Sequence, residues 1–246
     1  MKRVVLLFAI LGIVLNSAQP VVAQERTAVK QGFELKANSG KRILVFRPTV
    51  RVGSQSTGGL FEPNADWTDQ ARANIEASLD EMQTRLGNEV IEAPDAFGEE
   101  AQNLQEHMEL FSAISRSVIN YQFFVGQRLP TKKRDNRNDV FDWSLGPSVA
   151  DLPGADQADY GLFIFNKDAY GSTGRKILQG LALLGGIGVQ SGEHQGFAGL
   201  VDLKTGDILW LNADFAMGGD PRKPEGAEKR MRQLLEEFPG SAADEE

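Results

Sequence analysis

Two histidines, His107 and His194, are the only imidazoles in this sequence of 246 residues, and it contains no cysteine. A thiol nucleophile and a cysteine metal site are therefore excluded. His107 lies beside Glu106 in a helical stretch without an H-E-x-x-H pattern, and one histidine does not build a catalytic zinc site. It is expected to face solvent or to be satisfied by its own helix. His194 sits in residues 191–196 (SGEHQG), beside Ser191 and Glu193. Those residue types occur in hydrolytic constellations, but triads are assembled across a fold rather than from neighbours in sequence, and no G-x-S-x-G is present. The leading expectation is that no residue is catalytic; a hydrolase using His194 with Glu193 or a nearby aspartate is the alternative.

Residues 171–176 (GSTGRK) and 185–192 (GGIGVQSG) have the glycine content of phosphate-cradling loops, yet neither is G-x-x-x-x-G-K-[ST] or G-x-G-x-x-G. Asp202, Asp207 and Asp214 carry oxygen ligands, but their spacing matches no calcium loop. They are expected to be exposed acids at strand ends. No metal and no cofactor is expected.

Residues that could do chemistry are thus sparse, and the compartment is the stronger signal. Lys2 and Arg3 precede an apolar run over residues 4–15, and Pro20-Val21-Val22-Ala23 ends in the small residues of a cleavage site between Ala23 and Gln24. This is the layout of a secretory signal peptide, and the run is too short to span a bilayer. The chain carries 26 basic and 34 acidic side chains, net −8; without the two cations of residues 1–23 it is −10. Such an acidic chain is a poor ligand for nucleic acid or anionic lipid through bulk charge. A cysteine-free exported chain must be held by its core, which fits a bacterial periplasm, with secretion as the variant of that location.

The elements follow from periodicity. Residues 24–40 are polar and are expected to be a flexible lead-in. Residues 42–48 (RILVFRP) read as a strand covered on both faces, and 53–64 (GSQSTGGLFEPN) as a loop. Ala71, Ile75, Leu79, Met82 and Leu86 recur on one helix face, with Asp66 or Thr68 as cap and Gly87 as a left-handed stop. A short strand at 89–92 and a second helix from 99 to 121 follow. The basic cluster at 131–138 (TKKRDNRN) is diluted by acids and reads as a solvated loop tip. Phe141, Trp143 and Leu145 return the chain to the core. Residues 159–170 contain Leu162-Phe163-Ile164-Phe165, a central strand. Strands at 197–203 and 208–215 flank Lys204-Thr205-Gly206-Asp207, a hairpin turn in which glycine supplies positive φ. A final helix begins near Pro224, and residues 241–246 form an acidic tail. The order predicts one mixed α/β domain over residues 41–240, a single sheet flanked by helices.

From Ile177 to Val189 only Gln179 is polar. The stretch is too short to cross a bilayer, and its glycines argue against a stable free helix. The simpler reading is a buried helix leading into a glycine-rich turn. The sharper one is an interfacial or partner-binding segment, with Arg175 and Lys176 at its edge and Ile177, Leu178, Leu181, Leu184 and Ile187 as contacts.

Residues 158–163 (ADYGLF) and 196–210 (GFAGLVDLKTGDILW) resemble the superfamily of the curli-secretion channel protein and the TolB amino-terminal domain. There, a strand with an A-D-Y core precedes a strand pair bearing a D-x-x-T-G-x-[IL]-x-W turn. Asp202, Thr205, Gly206, Ile208 and Trp210 match it. The resemblance implies a mixed sheet flanked by helices in an envelope protein without enzymatic activity: a pore, a synthase activator or an adaptor. The absent lipid-bearing cysteine and the lack of paired amphipathic hairpins set this sequence apart from the pore. The expected function is a non-enzymatic periplasmic adaptor in envelope assembly or maintenance. Its expected partner is an envelope protein, with peripheral membrane contact as an option and no span after signal removal. A structural homo-oligomer of the envelope is a further alternative.

Overall fold

The computed structural model describes residues 26–123, 127, 129–130, 140–190 and 192–241. The signal segment with Ala23 and Gln24, the basic cluster 131–138, Ser191 and the tail beyond Ser241 lie outside the described residues.

Leu162-Phe163-Ile164-Phe165, apolar on both faces, forms the middle of the longest strand. The strands are β1 (Arg26–Val29), β2 (Arg42–Val45), β3 (Thr49–Gln55), β4 (Phe61–Pro63), β5 (Glu89–Glu92), β6 (Tyr160–Gly171), β7 (Glu193–Asp202) and β8 (Ile208–Asp214). The helices are α1 (Ala65–Met82), α2 (Glu99–Val118), α3 (Thr173–Leu184) and α4 (Pro224–Leu234). The expected fold class is the one observed: one mixed sheet in the order β1-β8-β7-β6-β2-β5, with β3 also pairing β6 and β4 outside β3. β2 and β3 run parallel to β6, β5 runs parallel to β2, and β7, β8 and β1 add antiparallel pairs.

Both faces are covered, as the apolar run in β6 requires. Leu162 and Ile164 pack with Ile75, Leu79, Trp210, Met231 and Leu234 under α1 and α4. Phe163 and Phe165 alternate to the other face, where Phe111 and Val118 of α2 meet Phe46 and Phe197. The periodic residues expected on the α1 face, and Ala227, Met231, Leu234, Leu235 and Phe238 at the end of the chain, are all buried.

Several local expectations are corrected. Residues 26–29, inside the expected flexible lead-in, form edge strand β1, antiparallel to β8 with Val29 opposite Trp210. Residues 53–64, read as a loop, instead carry the end of β3, a turn and β4. Here β6 outruns β2, and its exposed ladder needs a second partner. Ile43 pairs Tyr160 along β2, and Thr49 pairs Phe165 along β3, so one extra residue bulges out around Pro48, which has no N–H for the ladder. The α1 cap is Asn64, whose side chain accepts from the Trp67 N–H at 2.9 Å. The second helix leaves α geometry at Val118 and passes through a π turn at Ile119–Phe123. The glycines after Leu184 do not weaken α3 from within; they end it.

Candidate functional site

Between β6 and β7 the chain leaves the sheet and makes α3. Ser172 caps it, its hydroxyl accepting from the Arg175 N–H at 3.3 Å. At the far end the Gly186 N–H donates to Leu183 O at 3.0 Å and the Ile187 N–H to Ala182 O at 2.9 Å, with Gly186 at φ +73°. This is a Schellman stop, and only glycine takes that left-handed position cheaply.

No residue of α3 is buried. Ile177, Leu178, Leu181 and Leu184 share about a third of the helix circumference. Their exposure runs from 39 % at Leu178 to 87 % at Leu184, and Leu183 and Ile187 are exposed as well. Arg175, Gln179 and Ala182, on the opposite side, are half-buried. The helix is therefore amphipathic in the inverted sense, with its mixed, partly polar side toward the body and its aliphatic face outward. The expectation of a buried helix at 177–189 is not met. Arg175 is not on the exposed face with the other expected contact residues: its Nε donates to Gln190 O at 2.9 Å and an Nη to Thr57 O at 3.2 Å. It ties the root of the arm to the β3–β4 turn, beside exposed Leu60. Lys176 remains at the surface.

A cluster of polar and titratable side chains lies at the root of this arm. Alternation along β6 carries Asn166, Asp168 and Tyr170 onto the α1/α4 face beyond Ile164. Asp168 pairs with His194 across the ladder, and its Oδ1 lies 2.5 Å from His194 Nδ1. Arg230 of α4, fully buried, donates to both Asp168 oxygens at 2.6 and 2.8 Å, to Asn166 Oδ1 at 3.1 Å and to Gly219 O. Asn166 Nδ2 donates to Asp168 at 2.7 Å. Every oxygen of the buried carboxylate is thus matched, as a buried charge requires. The His194 ring, its side chain 32 % exposed, stacks edge-on against Tyr170. Tyr170 donates to Asp220 at 2.8 Å, and Arg222 lies over both Tyr170 and Trp67. Burial, then the charge of Asp168, pushes the Tyr170 phenol well above its ordinary range, so it stays a donor. Bonds from the Arg222 guanidinium outweigh burial and hold Asp220 well below the usual carboxylate range.

Sequence reasoning missed Asp168 and Arg230. The signal was available: Arg230 stands between Ala227 and Leu234 on the apolar stripe of the last helix, where a cation needs a buried partner.

His107 is buried, with Nδ1 on Asn103 O at 2.9 Å and Nε2 on the Ser148 hydroxyl at 3.0 Å, so it is satisfied rather than solvent-facing. Asp202 Oδ1 accepts from the Lys204 and Thr205 N–H groups at 2.9 Å, Asp207 pairs with Lys30 at 2.6 Å, and Asp214 accepts from the Ala216 N–H at 2.8 Å. Asp214 is buried and Asp202 and Asp207 are half-buried, so none is the exposed acid expected, and of these only the Lys30 pair is a tie to another element. Among the described residues no group of three or more His, Asp or Glu is placed to hold a metal ion. Gly206 takes φ +78° and donates to Asp202 O at 2.8 Å, while Ile208 and Trp210 are fully buried, Trp210 edge-on to Phe238 at 5.2 Å.

No family model matches the chain, and no curated protein matches it. Among solved structures it is similar to the PelC dodecamer from Paraburkholderia phytofirmans at 13% identity, over 90% of this chain and 99% of that one, with a TM-score of 0.38. A single-substitution variant of that dodecamer gives 13% identity, 89% and 98% coverage and a TM-score of 0.36. The functional reading comes from the chain's own side chains.

Proposed function

We propose that this chain is an exported, non-enzymatic binding or adaptor protein of the bacterial cell envelope that engages its partner through the outward face of α3. The supporting observation is the inverted amphipathicity of that helix. Fully covering one exposed Leu or Ile stabilises by about 1.5–3 kcal/mol. The five outward side chains, Ile177, Leu178, Leu181, Leu184 and Ile187, left partly in water, leave on the order of 4–8 kcal/mol, before ordering costs, to a surface that covers them. Contiguous exposed apolar faces of this kind mark interaction sites.

The test is cell fractionation with in-cell crosslinking, comparing wild type with a Leu181→Glu/Leu184→Glu variant. The expected result is an unchanged melting temperature, because neither side chain is in the core, together with loss of the crosslinked or membrane-associated fraction. A large drop in melting temperature would mean that α3 packs as core, and unchanged crosslinks would remove α3 from the contact.

The second reading, a hydrolase, has one specific observation in its favour: buried Asp168 orients the His194 ring, as a carboxylate orients a general base. The Nε2 atom carries no hydrogen bond to a described residue, so no nucleophile is positioned against it among them. Wild-type turnover on an ester, phosphate or peptide panel, abolished by His194→Ala, would establish this reading; an inactive wild type ends it.

A further inference from the structure

Resting on the contact reading above, we propose that the surface α3 docks on is a lipid bilayer of zwitterionic headgroups, with the helix lying in the plane of the interface. The first argument is charge. From Ile177 through Gly192 the sequence holds no ionisable side chain, and the whole chain carries −8. Protein interfaces surround an apolar centre with a polar rim whose hydrogen bonds and charges fix register. The polar side chains of α3 after its first turn reduce to Gln179, on the inner side, so the outward face offers aliphatic area and almost no directional groups. A bilayer asks for no register.

The second argument is shape and area. Twelve helical residues make a rod about 18 Å long and about 10 Å across. The arm's five outward side chains, 39–87 % exposed, offer on the order of 400 Å² of accessible apolar surface, against about 800 Å² per partner in a standard stable interface. A second copy of the chain is not held by α3 alone. The rod is also shorter than the roughly 30 Å hydrocarbon layer, and among the described residues no helix is long and apolar enough to cross a membrane. Lying flat suits it: an interfacial helix sinks its apolar face about 5–10 Å into the headgroup boundary. The Schellman stop keeps Ile187 exposed beyond the last turn, and exposed Leu60 sits at the arm's root. Ile177, Leu178, Leu181, Leu184 and Ile187 together offer about as much hydrocarbon as one myristoyl chain, which gives weak, reversible attachment with a partition constant of about 10⁴ M⁻¹.

The full chain has no cysteine, so a Leu181→Cys variant takes a single environment-sensitive label. The labelled and unlabelled proteins are floated with phosphatidylcholine vesicles and with vesicles containing added phosphatidylglycerol, at low and high salt. The expected result is partition into neutral vesicles that is insensitive to salt, with no gain from anionic lipid, and a blue-shifted label quenched by lipid-borne quenchers. Leu181→Glu/Leu184→Glu should weaken partition at least tenfold at unchanged melting temperature. Binding that requires anionic lipid overturns the neutral-surface proposal. So does the absence of vesicle binding while in-cell crosslinks to a protein, or to a second copy, still depend on Leu181 and Leu184. In that last case the contact reading stands and the occupant is protein; if the crosslinks also ignore α3, both fall.

Discussion

Consider Arg230→Met, which keeps an unbranched apolar stem and deletes the guanidinium. Asp168 and Arg230 side chains are both fully buried, so the change strands a carboxylate that water cannot reach. Asp168 loses two charge-assisted bonds at 2.6 and 2.8 Å, and Gly219 O loses both its guanidinium donors. Asn166 and His194 remain against the carboxylate, and neither brings a permanent cation. Removing one member of a buried pair costs about 3–5 kcal/mol, a fifth or more of the roughly 5–15 kcal/mol stability of a typical domain. With a urea slope of about 2 kcal/mol/M, the unfolding midpoint should fall by about 1.5–2.5 M. Asp168→Asn alone strands the cation and should also destabilise. The double variant removes both charges, so its loss should be smaller than the sum of the singles by about 1.5 kcal/mol or more. A single variant within about 1 kcal/mol of wild type, or strictly additive losses, would refute the view that this pair holds α4 to the arm-bearing end of β6.

Two further outcomes are expected. Gly206→Ala should be destabilising and should lower the melting temperature, because the residue is at φ +78° and an added Cβ would lie 2.0 Å from Gly146 O; Gly58→Ala, in open surroundings, is the control, and equal melting temperatures for the two would discount the turn geometry. Asp220 is held below its unfolded value of about 3.9 by Arg222, then by Tyr170, so its stabilising contribution is complete above that value and is lost as pH falls toward the depressed folded value. Melting curves taken from about pH 5 down to about pH 2 should show a shallower acid loss in Asp220→Asn than in wild type, and identical acid limbs would contradict the assignment.

What the sequence revealed and what it hid divide along physical lines. A strand apolar on both faces announces its burial whatever lies beside it, and an apolar stripe at helical spacing announces a packed face, so β6, α1 and α4 were legible. Strands β3 and β4 were not, because their upper ends are polar and glycine-rich; only Val50 and Val52 alternating around Arg51 betray the ladder. The Asp168–Arg230 pair spans 62 positions, and only the fold brings an odd polar residue on a strand face opposite an odd cation on a helix stripe. For α3, periodicity identifies an aliphatic face and says nothing about which side of the helix meets the body. That choice is made at the root, where Arg175 spends its donors on Thr57 and Gln190 carbonyls and Gly192 donates to the Gln55 side chain at 3.0 Å. The root is pinned by polar bonds, and among the described residues both faces of the sheet are already covered by α1, α4 and α2, so the leucines stay outward. Their exposure follows from the sheet being covered without them, and the proposed contact role of α3 rests on that exposure.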